Sequence, residues 1–180
     1  MAFGFSRCRD LILQGILAGI QQRADEIARI ARESRVTGIS LDLVPWHRGL
    51  GISIRQGTEH WEFRYWPADW ANFDVVSNET CAELQRAVEF IHEAYVSENS
   101  NHLAREMAHM IFLAGAEALL DSRVAMALAE LGIDAPVCGD DFMPRPFEYI
   151  VLDCDGTVSG NYCELVLANR VTARGWPKLN

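Results

Sequence analysis

The sequence has few of the residues that mark specialised protein classes. Among its 180 residues are one lysine, Lys178, and five cysteines with no Cys-x-x-Cys pair. Scattered cysteines in an odd number predict neither a disulfide framework nor a zinc site, and they favour a reducing cytoplasm. No glycine-rich loop precedes a helix as a phosphate cradle would. Charged residues and glutamines interrupt the apolar N-terminal stretch, so neither a signal peptide nor a membrane span is predicted.

The residues that are present are typical of a globular protein with one core. Hydrophobic residues make up 49% of the chain and charged residues 23%, and the length predicts a single domain over residues 1–180. The formal net charge is −9, so most of the surface would repel a nucleic acid. The acidity is concentrated in residues 77–132, where nine acidic side chains accompany three arginines. This segment is either a solvated helical surface or a docking surface for a basic partner.

Hydrophobic periodicity predicts one long helix, a group of strands and then further helices. The predicted elements are a helix over 6–34, strands over 36–44, around Ile52 and Ile54 and over 60–65, a helix from Ser77 or Asn78 to 97, a helix from His102, a short helix after Asp121 that ends at Gly132, a strand over 147–152 and a helix over 161–170. The fold class predicted is α+β, with a small antiparallel sheet packed by the long N-terminal helix and the central helices.

Aromatic residues are concentrated just after the hairpin. Six of the 13 residues from 61 to 73 are aromatic. Strand alternation assigns Trp61, Phe63 and Tyr65 to the core, whereas Trp66 and Trp70 lie outside that alternation and Pro67 ends the strand. We therefore expect at least one tryptophan of this pair to be partly exposed, where it could anchor a protein partner.

Glutamate and histidine recur at a spacing of three on two predicted helices, in the pairs Glu89/His92 and Glu106/His109. Facing pairs of this kind can hold half of a di-metal site in a helical bundle. Glu89, however, lies about 140° from the apolar stripe of its helix at 100° per residue, which favours a surface position. Glu89 and Glu93 are instead candidates for contact with a basic partner.

The segment around Asp153, Asp155 and Gly156 resembles the first motif of haloacid-dehalogenase-type phosphatases. The resemblance implies that Asp153 is the nucleophile, that Asp155 is the acid/base and that magnesium bridges the carboxylates. That fold begins with this strand and needs a downstream lysine, but here only 23 residues follow Thr157 and the sole lysine is Lys178. The other interpretation is a strand that ends in a polar turn, with both aspartates structural or in contact with a partner.

The order of features resembles a second family. The chain is similar in layout to a bacterial family of small acidic domains of unknown function. The shared order is a long helix, a hairpin, the Trp66–Trp70 segment, two helices, and a strand ending at Asp153 and Asp155 before a helix that contains Asn169. Members of this family are often found beside polymorphic toxin genes and are taken to be immunity proteins. The resemblance implies a non-enzymatic cytoplasmic protein without a cofactor, which binds and neutralises a toxin with a basic surface.

These observations lead to one functional prediction and one alternative. The prediction is a protein-binding immunity protein, with no catalytic residue, no metal and neither nucleic acid nor membrane as a partner. Its candidate partner-binding residues are Trp66, Trp70, Glu89, Glu93, Asp153 and Asp155. The alternative is a metal-dependent phosphatase that uses Asp153 and Asp155.

Overall fold

The computed structural model describes residues 4–57, 66–97, 101–137, 147–153 and 160–173, and it confirms the α+β fold class. The described residues form six α-helices and a four-stranded sheet. In chain order these are α1 Phe5–Gln22, α2 Ala24–Glu33, β1 Val36–Val44, β2 Gly49–Gln56, β3 Asn72–Ser77, α3 Ala82–Val96, α4 Asn101–Leu119, α5 Ser122–Glu130, β4 Glu148–Ile150 and α6 Tyr162–Ala173. None of the helices in these ranges is both long enough and apolar enough to cross a membrane.

The sheet has the strand order β3-β2-β1-β4 and is mixed rather than wholly antiparallel. β1 and β2 form the predicted hairpin, and β3 adds to β2 in the antiparallel direction. β4 lies parallel to β1, with Ile39 opposite Tyr149. Since parallel strands need a long crossover connection, the helices between β3 and β4 provide the chain length that brings β4 back beside β1.

β3 is the third strand in the antiparallel part of the described sheet. The predicted strand over 60–65 lies outside the described residues, and the strand that pairs with β2 is β3, which continues to Ser77. The predicted helix cap at Ser77 or Asn78 was wrong, because α3 begins at Ala82. Asn78 instead extends the β2–β3 pairing: its Oδ1 accepts from the Leu50 amide at 2.9 Å, and its own amide donates to the Leu50 carbonyl at 2.9 Å.

The predicted N-terminal helix is interrupted at Arg23, so α1 and α2 are separate helices. No proline or glycine lies at the break. The Arg23 Nε donates to the carbonyl of Val75 at 3.1 Å, so a side chain at the break is fixed to a strand 52 residues away. The break is therefore a tertiary feature, which a continuous apolar stripe does not reveal.

The core lies between one face of the sheet and α1, α3 and α4. In the hairpin Ile39, Leu41 and Leu43 pair with Ile54, Ile52 and Leu50, and all six side chains are buried. α1 packs against α3, α4 and α5, and it approaches α3 and β3 closely because it carries a glycine at each of these two contacts. A Cβ on Gly15 would lie 2.7 Å from Leu84 Cδ2, and one on Gly19 would lie 2.5 Å from Val76 Cγ1.

Candidate functional site

Trp66 and Trp70 lie at the two ends of a short helical turn and differ sharply in exposure. Trp66 is 65% exposed and Trp70 is 3% exposed. The turn is closed by the Asp69 amide, which donates to the Trp66 carbonyl at 2.9 Å, and by the Trp70 amide, which donates to the Pro67 carbonyl at 3.0 Å. The expectation that at least one of the two is exposed is met by Trp66, whereas Trp70 does not present its ring to solvent.

Trp70 anchors this turn to the sheet. The guanidinium carbon of Arg55 lies 5.8 Å from the centre of a Trp70 ring, a cation–π geometry. Arg55 is itself held by an ion pair with Glu148 at 2.8 Å and by a hydrogen bond to the carbonyl of Thr37 at 3.2 Å. The buried tryptophan therefore stabilises the position of the exposed one, because both belong to one hydrogen-bonded turn.

The exposed tryptophan begins a turn that packs against an acidic part of β3. The Pro67–Asp69 turn packs against β3, where Phe73 is 49% exposed and Asp74 is exposed as well. Asp69 is also exposed. We call this surface, made of Trp66, Asp69, Phe73 and Asp74, the acidic aromatic edge. It combines two large apolar rings with two carboxylates and includes part of β3, an end strand of the described sheet.

Behind this surface, the face of the sheet opposite the helices carries small and polar residues. Ser40 lies opposite Ser53 and Asp42 lies opposite Gly51. The Ser40 hydroxyl donates to Asp42 Oδ1 at 2.7 Å, and the Ser53 hydroxyl donates to Asp42 Oδ2. The Asp74 amide donates to Ser53 Oγ at 2.9 Å, so the group connects β1 to the acidic aromatic edge.

The surroundings of Asp42 disfavour the ionised form of its carboxyl. Burial raises the pKa of Asp42 to about 6, against the lowering effect of the Ser53 and Ser40 hydroxyls, and the charge of Asp74 raises it further. The pKa of Asp74 is also raised, by burial and then by the charge of Glu79. Asp42 and Asp74 are not among the residues that the sequence motifs indicate as functional. The alternation of β1 is the sequence feature that could have indicated Asp42, because it places this carboxylate on the face of the sheet opposite Leu41 and Leu43.

Glu89 and Glu93 lie one turn apart on α3, and both are exposed as predicted. The only described hydrogen bond between side chains here runs from Gln85 Nε2 to Glu89 Oε1, at 3.1 Å. Within the described part of the chain, neither glutamate forms an ion pair. Two neighbouring unpaired carboxylates therefore add to the negative field of the surface.

The two Glu-x-x-His pairs do not converge. His92 Nδ1 donates to the carbonyl of Pro45 at 3.0 Å, while Glu89 faces solvent. His109 Nδ1 shares a hydrogen bond of 3.1 Å with the hydroxyl of Tyr162. Among the described residues, no group of three histidine, cysteine or acidic side chains is placed to hold a metal ion. Both histidines thus have structural contacts.

Asp153 follows β4 and is 8% exposed, while Asp155 lies outside the described residues. Asn161 closes the connection to α6: its Oδ1 accepts from the amides of Val151 and Cys163, both at 3.0 Å, and its Nδ2 donates to the Tyr149 carbonyl at 2.7 Å. Burial, and then the charge of Asp153, raises the pKa of Tyr162 to about 12. Asp153 is thus a buried carboxylate close to the start of α6, a position typical of a structural residue.

The predicted residues do not form one surface. Trp66 lies beside β3 and Asp153 follows β4, which are opposite ends of the strand order, and Glu89 and Glu93 lie on α3. No family model matches the chain, and neither the search of curated proteins nor that of solved structures finds a significant match. The geometry of the acidic aromatic edge is therefore the main structural basis for a functional proposal.

Proposed function

We propose that the protein is a non-enzymatic binding protein that captures a basic protein partner through the acidic aromatic edge. The observation that carries this proposal is the 65% exposure of Trp66 on a turn fixed by the buried Trp70. In the class that the sequence resembles, the partner is a toxin and the binding protein is an immunity protein of the bacterial cytoplasm. No cofactor is needed for this function.

A fixed aromatic ring is well suited to binding. Tryptophan is enriched among the residues that dominate binding energy, because its large ring can be buried with few rotatable bonds to order. The two hydrogen bonds of the Pro67–Asp69 turn already restrict the backbone at Trp66 before a partner arrives. Phe73 extends the apolar area on the adjacent strand, so the edge offers two rings rather than an isolated one.

The surrounding charge defines the chemistry of the partner. Asp69 belongs to the turn that follows Trp66, Asp74 follows Phe73 on β3, and the whole chain carries a formal charge of −9. Glu89 and Glu93 on α3 add to the net negative charge that steers the encounter with a basic partner, although salt screens such exposed charges beyond about 10 Å at moderate ionic strength. A partner with arginine and lysine around an apolar pocket complements this surface.

The proposal is tested by capture from a lysate of the native bacterium, comparing the wild type with Trp66→Ala and Met126→Ala. Met126 is a matched control, since it is 59% exposed but lies on α5. We expect the wild type and Met126→Ala to retain a basic protein that Trp66→Ala releases, with a loss of roughly 2 kcal/mol or more in affinity for that protein. Equal capture by Trp66→Ala would contradict the proposal.

Trp70→Ala separates binding from folding in the same experiment. Truncation of a buried tryptophan costs about 3–5 kcal/mol of stability, whereas Trp66→Ala leaves the unfolding midpoint nearly unchanged because its ring is largely solvated. If Trp66→Ala unfolds the protein as Trp70→Ala does, Trp66 is a structural residue and the proposed binding surface is wrong.

The alternative, a magnesium-dependent phosphatase that uses Asp153 and Asp155, has less support. The fold that the motif resembles needs a parallel sheet, and here β1, β2 and β3 are antiparallel neighbours. Asp153 is also nearly inaccessible. A magnesium-dependent assay with a generic phosphomonoester distinguishes the two functions, and turnover that Asp153→Asn abolishes would support the phosphatase.

A further inference from the structure

The acidic aromatic edge contains an irregularity in β3. The pairing of β2 with β3 shifts between Ile52 and Ile54, and within this bulge Asp74 has a φ of 52°. Aspartate adopts such a left-handed conformation more readily than most residues, but it still needs local support. The bulge displaces Phe73 and Asp74 from regular alternation, so that consecutive side chains are both exposed.

Two contacts support the bulge from the polar face of the sheet. The Asp74 amide donates to Ser53 Oγ at 2.9 Å, and the Ser53 hydroxyl donates onward to Asp42. The Asp74 carboxylate lies directly over Gly51, where a Cβ would overlap Asp74 Oδ1. A chain of hydrogen bonds thus runs from a carboxylate on β1, through a fully buried serine, to the backbone of the edge.

We propose that Asp42 is a positioning residue whose ionised form supports the β3 bulge through Ser53, and that its protonation weakens capture of a basic partner. This inference rests on the proposed function, because it concerns regulation of the acidic aromatic edge. Protonation removes a negative charge close to Asp74. The protonated carboxyl of Asp42 also donates a hydrogen bond to a serine oxygen. When that oxygen is Ser53 Oγ, Asp42 competes with the Asp74 amide for the same acceptor.

The surrounding groups place this change in a mildly acidic range. Among the described residues, Asp42 faces the hydroxyls of Ser40 and Ser53 and the carboxylate of Asp74, which is itself near Glu79. Arg55 and Glu148 lie on the same face but pair with each other at 2.8 Å. With burial and the charge of Asp74 raising it, the pKa of Asp42 is about 6, so protonation proceeds as the pH falls from 7 toward 5.

The first measurement is an NMR pH titration of the Asp74 amide, which needs no partner. In the wild type we expect a titration step with a midpoint near the Asp42 pKa of about 6. Because the Asp74 carboxyl titrates as well, with a raised pKa, Asp42→Asn should remove the Asp42 component of that step and leave the component that comes from Asp74 itself. Asp74→Asn keeps the amide donor and suits the positive φ, so it should fold and, by removing a negative neighbour, move the step to a lower pH.

The second measurement is the affinity for an oligo-arginine peptide at two pH values. The wild type should lose up to about tenfold in affinity from pH about 7.5 to about 5, since a group with a pKa near 6 is then about nine-tenths protonated. Asp42→Asn should bind more weakly at the higher pH and vary less. Glu130→Gln, which removes an exposed charge on α5, should keep the wild-type pH dependence.

Two results separate this inference from the proposed function. If the peptide binds but Asp42→Asn shows the same pH dependence as the wild type, the role of Asp42 is wrong and the binding surface stands. The same follows if the amide of residue 74 still shows a titration step when Asp42→Asn is combined with Asp74→Asn. If the wild type does not bind the peptide at either pH, the choice of a basic partner is wrong, and the proposed regulation is wrong with it.

Discussion

The helix-facing side of the sheet and its opposite side come from the same strands but are stabilised differently. On the helix side, Leu41 and Ile52 form part of a continuous apolar core. On the opposite side, the directly adjacent residues Asp42 and Ser53 form a hydrogen-bonded polar group with Asp74. Because side chains alternate along a strand, neighbouring positions can serve the core and the binding surface independently.

The comparison also shows where the molecule can respond to solution conditions. Apolar contacts contribute stability through burial and do not depend on pH near neutrality. The polar group contains a carboxyl with a raised pKa, Asp42, and reaches the exposed Asp74. We therefore expect substitutions on the helix side to change mainly stability, and those on the opposite side to change the pH dependence and the acidic aromatic edge.

The largest expected difference comes from two adjacent residues of β2. Ile52→Ala removes a fully buried side chain and should lower the free energy of unfolding by about 2–5 kcal/mol. Ser53→Ala should cost about 1–2 kcal/mol, because it removes one buried hydroxyl from the group around Asp42. Urea unfolding monitored by circular dichroism measures both. Equal losses would show that the two faces do not differ in this way.

A pH series tests the polar side. The pKa of Asp42 is raised from its usual 3.8 to about 6 in the folded protein, so the folded state binds the proton more tightly than the unfolded chain. The contribution of this group to stability therefore falls as the pH rises from about 4 to about 6, by up to about 3 kcal/mol. Relative to the wild type, Asp42→Asn should become more stable over that interval. A constant difference between the two would contradict the raised pKa.

The smallest expected effect concerns how closely α1 approaches the apolar side. Gly19→Ala places a methyl group 2.5 Å from Val76 Cγ1, and such overpacking costs about 1–3 kcal/mol. Alanine recovers about 1 kcal/mol of helix propensity, so the net loss should be about 1 kcal/mol. Gln14→Ala, on the exposed side of α1, is the control and should change the thermal midpoint little. A stabilised Gly19→Ala variant would mean that the contact relaxes freely.

Much of the candidate site follows from local sequence. The alternation of β1 and β2 defines which residues point to the core, and Pro67, which ends the predicted strand, leaves Trp66 outside that alternation. The sequence could not distinguish Trp66 from Trp70, however. One long-range contact that distinguishes them is that of Trp70 with Arg55, a residue of β2 whose guanidinium carbon lies 5.8 Å from the centre of a Trp70 ring. Burial of an aromatic side chain at a turn depends on what packs against it, which local periodicity does not describe.

Local sequence is enough to predict the fold class, the hairpin of β1 and β2, and the amphipathic helices, because the spacing of apolar residues differs between strands and helices. Long-range contacts are needed to explain the break at Arg23, the pairing of β3 with β2, the parallel position of β4 and the link from Asp42 to Asp74. Those features depend on partners far apart in the chain, as in the bond from Arg23 to Val75 across 52 residues. The period of the apolar residues predicts which face of an element a side chain lies on, whereas tertiary packing determines which residue that side chain contacts.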